Sequence, residues 1–349
     1  MAAPAKKILK ETAYLPLHIL SLATEAKSFR DNPIIGNRFL NMLGLHVIRL
    51  VLAHGVFRVK LFFLSPFADK ADRRDYLANG FVIKENYLPD TLFAQLCKEA
   101  RSYQGEAWQC IQGNAITWRA MMHGDMLNDR PASRALLSDK KFLGLLKYTA
   151  GRNEDPMFYI QQIQNGYGKK GASDPQKVLH ADTFHPTMKA WLFLEDVGPR
   201  NGPFTYVAGS NRLTWRRLVW EYKRSLVARR VHDGYSEKGS FRVSDDELSS
   251  LGLPAPKGLA VKANTLVVAN TCGFHRRGDT DEAQATRLEI WAYSRCNPFN
   301  PWPGLGIGAF ARLRDAVYLR MLRRADKRAK ARGRKSKWHA APPSPINDG

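Results

Sequence analysis

Residues 259–278, LAVKANTLVVANTCGFHRRG, lead into residues 286–294, TRLEIWAYS, and together they set the fold class. The run Leu266-Val267-Val268-Ala269 is β-branched and apolar, while the second segment alternates; Asn, Gly and Asp fill the space between them. Short apolar runs of this kind, punctuated by turn residues, predict strands rather than helices. The same signature recurs in MFYIQQIQ at 157–164, MKAWLFLEDV at 188–197 and FTYVAG at 204–209. Upstream, GFVIKENYLPDTLFAQL predicts a short strand, Phe81 to Ile83, and then a helix capped by Asp90. The sum is an antiparallel β domain over residues 72–297. A basic helical insert at 211–256 interrupts it, and Ser244 and Glu247 stand there at capping-box spacing.

Two flanks differ in composition from this domain. Residues 1–71 are helical in pattern, apolar and basic. Their most apolar stretch, 39–64, is broken by Arg49, Arg58 and Lys60 and by His46 and His54, so it does not meet the requirement for a bilayer-crossing helix. A helix lying on a membrane surface or buried against the domain fits better. Pro16 and His18 interrupt the apolar stretch near the start, which argues against an export signal. Residues 298–349 open with PFNPWPGLGIG, a linker. Gly304-x-Gly306-x-Gly308 follows no strand and is no dinucleotide fingerprint. A basic helix comes next, with Phe310, Leu313, Val317 and Met321 at helical spacing, and then a tail, HAAPPSPINDG, expected to be disordered.

The chain carries 54 Lys and Arg against 32 Asp and Glu, a net charge of +22. Twelve of those basic residues and only two acidic ones fall in 312–337. Such a segment implies an anionic partner. No nucleic-acid module accompanies it, and its apolar stripe favours an anionic membrane surface over nucleic acid. Cys97, Cys110, Cys272 and Cys296 lack any paired spacing and read as reduced thiols, consistent with a cytoplasmic protein, peripheral on a membrane if the flanks dock there.

KVLHADTFHP, residues 177–186, places His180 and Asp182 two apart, on one side of an extended chain. His275, just past the apolar strand, supplies a third ligand. Two imidazoles and one carboxylate form the facial set of a non-haem Fe(II) oxygenase, although a zinc hydrolase uses the same residue types. Arg287 favours the oxygenase: it opens the strand twelve residues after His275, and if the two strands pair as neighbours its guanidinium reaches the same cavity. His185, at odd spacing and followed by Pro186, is expected to face away. Gln162 is either a cosubstrate contact or a solvated edge residue. Trp215, Trp220 and Tyr222 either line a substrate entrance or belong to an ordinary amphipathic helix.

The ordered set GFVIKENYLPDTLFAQL, H-x-D, LEDVGPRNGPFTYVAGSNR, then an apolar strand ending in His with an Arg beyond, resembles the phytanoyl-CoA dioxygenase family over about residues 72–297. The resemblance implies a double-stranded β-helix (jelly roll), mainly β with flanking helices, using Fe(II) and 2-oxoglutarate. It matches His180, Asp182 and His275 to the metal ligands and Arg287 to the residue that holds the cosubstrate's distal carboxylate. Two tracts depart from the family pattern: Ala208-Gly209-Ser210-Asn211 after the Asn-Gly turn, and Arg276-Arg277-Gly278 after the distal histidine. Asp182 is retained where halogenating relatives carry a small residue, so hydroxylation of a C–H bond is expected. The expected substrate is lipid-like or amphiphilic. The competing readings are a soluble metabolite and a non-catalytic jelly roll that binds membrane or nucleic acid. The sequence does not fix the oligomeric state.

Overall fold

The computed structural model describes residues 14–166, 174–280 and 286–341. Its helices are α1 (Leu15–Leu20), α2 (Arg38–Met42), α3 (Leu45–Phe63), α4 (Lys70–Asn79), α5 (Asp90–Arg101), α6 (Pro131–Leu136), α7 (Lys140–Ala150), α8 (Trp215–Val227), α9 (Asp245–Leu251) and α10 (Gly308–Lys330). The strands are β1 (Phe81–Lys84), β2 (Trp108–Gln112), β3 (Ala115–Met121), β4 (Met157–Asn165), β5 (Met188–Phe193), β6 (Phe204–Tyr206), β7 (Lys257–Leu259), β8 (Thr265–Asn270), β9 (His275–Arg277), β10 (Thr286–Ser294) and β11 (His339–Ala340).

Eight strands form one antiparallel sheet in the order β1-β8-β5-β10-β4-β3-β2-β11, and β7-β6-β9 form a second. This is a jelly roll of unequal halves. The large sheet is covered on both faces, which explains why its strands read as nearly continuous apolar runs. Outward, Phe158, Ile160, Ala190, Leu192, Leu288 and Ile290 pack on Leu96, Phe142 and Leu146 of α5 and α7. Each such fully buried aliphatic side chain contributes about 1.5–3 kcal/mol. Inward, the alternate residues Tyr159, Trp191, Phe193, Val267 and Trp291 meet Phe204, Tyr206 and Leu259 of the small sheet.

Three small strands cannot cover eight. Leu319, Tyr318, Leu322 and Trp338, from α10 and the segment after it, pack into the same inner layer as Trp108 and Met121 of β2 and β3. Residues 339–340, expected to be unstructured, instead pair with Gln109 and Trp108 of β2. Residues 342–349 lie outside the described ones.

Several sequence expectations shift in detail. Asp90 is the first residue of α5 and makes no side-chain cap; Pro89 holds the cap position. The Ser244–Glu247 capping box is present at α9. β2 and β3 were not expected. His275 and Arg287 do not sit on neighbouring strands: β5 separates β8 from β10, and His275 opens β9 of the other sheet. All four cysteines are free.

Candidate active site

His180, Asp182 and His275 converge, with one ligand-capable atom from each lying within 4.8 Å of the others. The small sheet's edge brings them together. His180 and His275 exchange main-chain hydrogen bonds of 3.0 and 2.9 Å, and the Asp182 amide donates to Thr271 O at 2.9 Å. The turn before His275 needs Gly273: a Cβ there would sit 1.9 Å from Tyr206 Oη, whose hydroxyl donates to Asn270 O at 2.7 Å.

Both rings are fixed from behind. His180 Nδ1 lies 2.7 Å from Val178 O, and His275 Nδ1 lies 2.9 Å from Gly273 O. Those carbonyls set the tautomer, with Nδ1–H donating and the Nε2 lone pair turned inward. Each Nε2 lies 3.7 Å from one Asp182 carboxylate oxygen, His180 from Oδ1 and His275 from Oδ2. Burial lowers both imidazole pKa values and so keeps the rings neutral, as a ligand must be. Burial pushes Asp182 the other way, but its surroundings, the Lys189 ammonium foremost, more than offset it, and its pKa falls well below the usual carboxylate range. Two neutral imidazoles and an ionised carboxylate are a donor set suited to a divalent transition metal.

Two lysines attend Asp182 that sequence reasoning missed. Lys189 Nζ lies 2.6 Å from Oδ2, and Lys27 Nζ donates to the Asp182 main-chain carbonyl. Desolvation lowers Lys27 to about 8. Lys189 had a signal, since it is the lone cation in an otherwise apolar strand, MKAWLF. Lys27 comes from the N-terminal helical region and had none.

The cluster borders a cavity of about 360 Å³ whose walls include His275, Lys189, Gln161 and Arg287. Arg287 is therefore in the same cavity as His275, although their strands are not neighbours: the inner face of β10 looks across at β9. Its Nη1 donates to Gly202 O at 2.8 Å and its Nε stands 2.8 Å from Glu289 Oε2. Among described residues Nη2 has no partner.

His185 faces away: its Nδ1 is 3.2 Å from Pro186 O, and the ring packs on Phe184. Gln162 is not a wall residue, whereas Gln161 and Ile163, on the opposite side of β4, are. Trp220 packs edge-on against Phe241 and Phe274, Trp215 is exposed, and Tyr222 Oη donates to Met42 O. The insert's aromatics thus belong to an ordinary amphipathic helix, and none is a wall of that cavity.

A family model described as phytanoyl-CoA dioxygenase (PhyH) matches residues 76–243, which hold His180 and Asp182; His275 and Arg287 lie beyond the matched stretch. No curated protein matches the chain. Among solved structures, the 2-oxoglutarate-dependent epimerase SnoN of nogalamycin biosynthesis is 19% identical, with 64% of this chain and 81% of that chain covered and a TM-score of 0.40. HygX from Streptomyces hygroscopicus, solved with nickel and 2-oxoglutarate, is 15% identical over 64% and 86% at a TM-score of 0.40. EctD from S. alaskensis is 13% identical over 64% and 75% at 0.38. Likeness at this level adds nothing to the topology described above. From the family match, residues 76–243 form a phytanoyl-CoA dioxygenase (PhyH) domain.

Proposed function

We propose that the protein hydroxylates a C–H bond of an amphiphilic substrate, with His180, Asp182 and His275 holding Fe(II) and Arg287 receiving the distal carboxylate of 2-oxoglutarate. The convergence of the three side chains, with both Nε2 atoms turned toward one ionised carboxylate, carries this assignment. Iron, when bound, supplies the coupling of oxidative decarboxylation of 2-oxoglutarate to substrate oxidation. The chain supplies the rest. Val178 O and Gly273 O hold the rings in register, so they need no reorientation to accept a metal. Lys189 keeps Asp182 ionised across the physiological range. Arg287, backed by Glu289, lines the cavity, and with one Nη1 N–H on Gly202 O its guanidinium keeps further N–H groups for a carboxylate. Trp191, Phe204 and Trp291 line the space beside His275 and exclude water from it. Purified protein given Fe(II), O2 and 2-oxoglutarate should form succinate slowly without any added substrate. Absence of succinate under those conditions contradicts the assignment.

We further propose that the protein docks on an anionic membrane surface, and the polarity of α3 supports this. Most of its cationic and polar residues point inward, Arg58 being exposed: Arg49 donates to the carbonyls of Leu22, Thr24 and Ala26, His46 meets Glu221, and Lys60 reaches Asn297 O. Its outer face carries Ile48, Val51, Leu52, Val59, Phe62 and Phe63, all exposed, with Phe62 at 75%. α10 also exposes apolar side chains, Phe310, Leu313, Val317 and Met321, here beside arginines that are themselves exposed. No helix among the described residues is long and apolar enough to cross a membrane. Exposed apolar faces of this extent mark an interaction site, and the basic charge beside them complements an anionic lipid surface. The full chain should sediment with vesicles containing anionic lipid, less so with neutral ones, and a double Phe62→Glu, Leu313→Glu variant should stay in the supernatant. Equal sedimentation of the parent and the double variant contradicts docking through these faces.

A further inference from the structure

Among the described residues the cavity wall carries six cationic side chains, Arg119, Lys189, Arg276, Arg277, Arg287 and Lys337, and no aspartate or glutamate. Four of the six are already paired with carboxylates: Lys189 with Asp182, Arg287 with Glu289, Arg277 with Asp174 and Arg276 with Asp279. Among the described residues Arg119 and Lys337 have no such partner, so the unpaired positive charge gathers at the end of the cavity that the C-terminal segment closes.

Arg119 is held as a flat platform. Its guanidinium lies 3.6 Å from the Trp291 ring centroid and 4.7 Å from that of Trp338, one on the large sheet and one on the C-terminal segment. Stacking occupies the faces of the cation and leaves its in-plane N–H groups for an acceptor. Among the described residues its side-chain hydrogen bond is from Nε to the neutral Gln161 Oε1, at 2.6 Å. Gln161 in turn donates to Glu289, which pairs with Arg287, so one buried chain of contacts joins this position to the proposed cosubstrate arginine. Burial lowers Arg119 to about 10. Arg119 is half-buried with the Glu289 carboxylate as partial electrostatic relief, and a ligand that supplies an anion recovers part of the remaining desolvation cost.

The segment that brings Trp338 and Lys337 is anchored. Arg323 forks onto both carboxylate oxygens of Glu106 at 2.8 Å, Ser336 Oγ donates to Asp326 at 3.0 Å, and the Ala341 amide donates to Ala107 O at 3.0 Å. Tyr318 adds a further aromatic wall.

We propose that Arg119 and Lys337, framed by Trp291, Tyr318 and Trp338, form a subsite for an anionic group of the substrate, a carboxylate or a phosphate, carried on a body that lies against the aromatic walls. This rests on the reading of the cavity as the catalytic one. It is separate from the position of Arg287: Arg119 stands opposite Gln161 in the sheet register, whereas Arg287 stands opposite Ile163.

The test uses the full chain under anaerobic conditions with Fe(II) and saturating 2-oxoglutarate, so that the cosubstrate site is filled. Tryptophan fluorescence is titrated with phenyl phosphate, benzoate and neutral benzamide. At least one anionic probe should bind about tenfold or more tightly than benzamide, and the better of the two identifies phosphate or carboxylate as the preferred group. Arg119→Gln and Lys337→Gln should each weaken that probe roughly tenfold, with Arg119→Lys retaining part of the affinity. Lys337 is on an exposed segment, so its variant reports even if Arg119→Gln fails to fold. Equal affinity for benzamide, no binding of either anion, or anion binding unchanged in Lys337→Gln and Arg119→Lys alike overturns the subsite. The visible charge-transfer absorption of the Fe(II)–2-oxoglutarate pair separates the two failures. Its absence counts against the iron site, whereas its presence with indiscriminate probe binding counts against the anion subsite alone.

Discussion

The two ends of the cavity are closed by different means. At the metal end the small sheet covers β5 and β8, and the ligands arrive on short, tightly hydrogen-bonded turns. Behind them a buried ion network ties in the N-terminal helices: Arg217 meets Glu221 at 2.8 Å, Glu221 meets His46 of α3 at 2.9 Å, and Arg217 reaches Ser210 O and Cys272 O. At the far end, β2 and β3 are covered by a segment that arrives from the C-terminus and is tied down by exposed pairs such as Arg323 with Glu106. Under the proposed function, chemistry belongs to the end that holds His180, Asp182 and His275, and the anionic group of the substrate to the strapped one.

The largest effect belongs at the metal end. Asp182→Ala should abolish both retained iron, measured by metal analysis after desalting, and substrate-independent succinate formation. It also strands Lys189 without its partner, so the thermal midpoint should be checked alongside. Next comes the buried network. Glu221→Gln should lower the unfolding free energy by about 3–5 kcal/mol near neutral pH, read from urea titrations, because it leaves Arg217 buried and unpaired. Burial alone raises the Glu221 pKa, but Arg217 and His46 bring it down from the ordinary 4.5 to about 2. The stability it contributes is therefore complete above about pH 4.5 and is lost as the pH falls toward 2. Over that window the parent should lose more stability than the Gln variant.

The unequal legibility of the two ends has physical causes. His180 and Asp182 lie two residues apart and His275 follows a strand of strong apolar character, so local patterning was enough to nominate them. Arg287 was nominated through a neighbouring-strand argument that the topology does not bear out; it reaches the cavity because opposing sheets face each other. Arg119 lay on a strand, β3, that carried no recognised signal, and Gln161 was passed over for Gln162 because a run of two glutamines conceals the parity. Lys337 was counted with the basic segment 312–337, and Trp338, between that segment and the tail, was not singled out. Their role depends on a gap left by a three-stranded sheet opposite an eight-stranded one, and no window of sequence contains that information.

Smaller effects sharpen the division. Arg287→Ala should raise the 2-oxoglutarate concentration needed for half-maximal succinate formation by about 10- to 150-fold, the loss of a charged hydrogen bond worth about 1.5–3 kcal/mol. Arg323→Ala removes only an exposed pair and should cost less than about 1 kcal/mol by urea titration. If it costs as much as Glu221→Gln, the two ends are not held differently and the contrast fails.

The most direct measurement is an anaerobic Fe(II) titration of the full chain and of the His180→Ala, Asp182→Ala and His275→Ala variants. One tightly held iron per chain in the parent, and none in any of the three variants, is the predicted result. Stoichiometric iron in a variant that remains folded, or none in the parent, would contradict the assignment of these three side chains to a single metal.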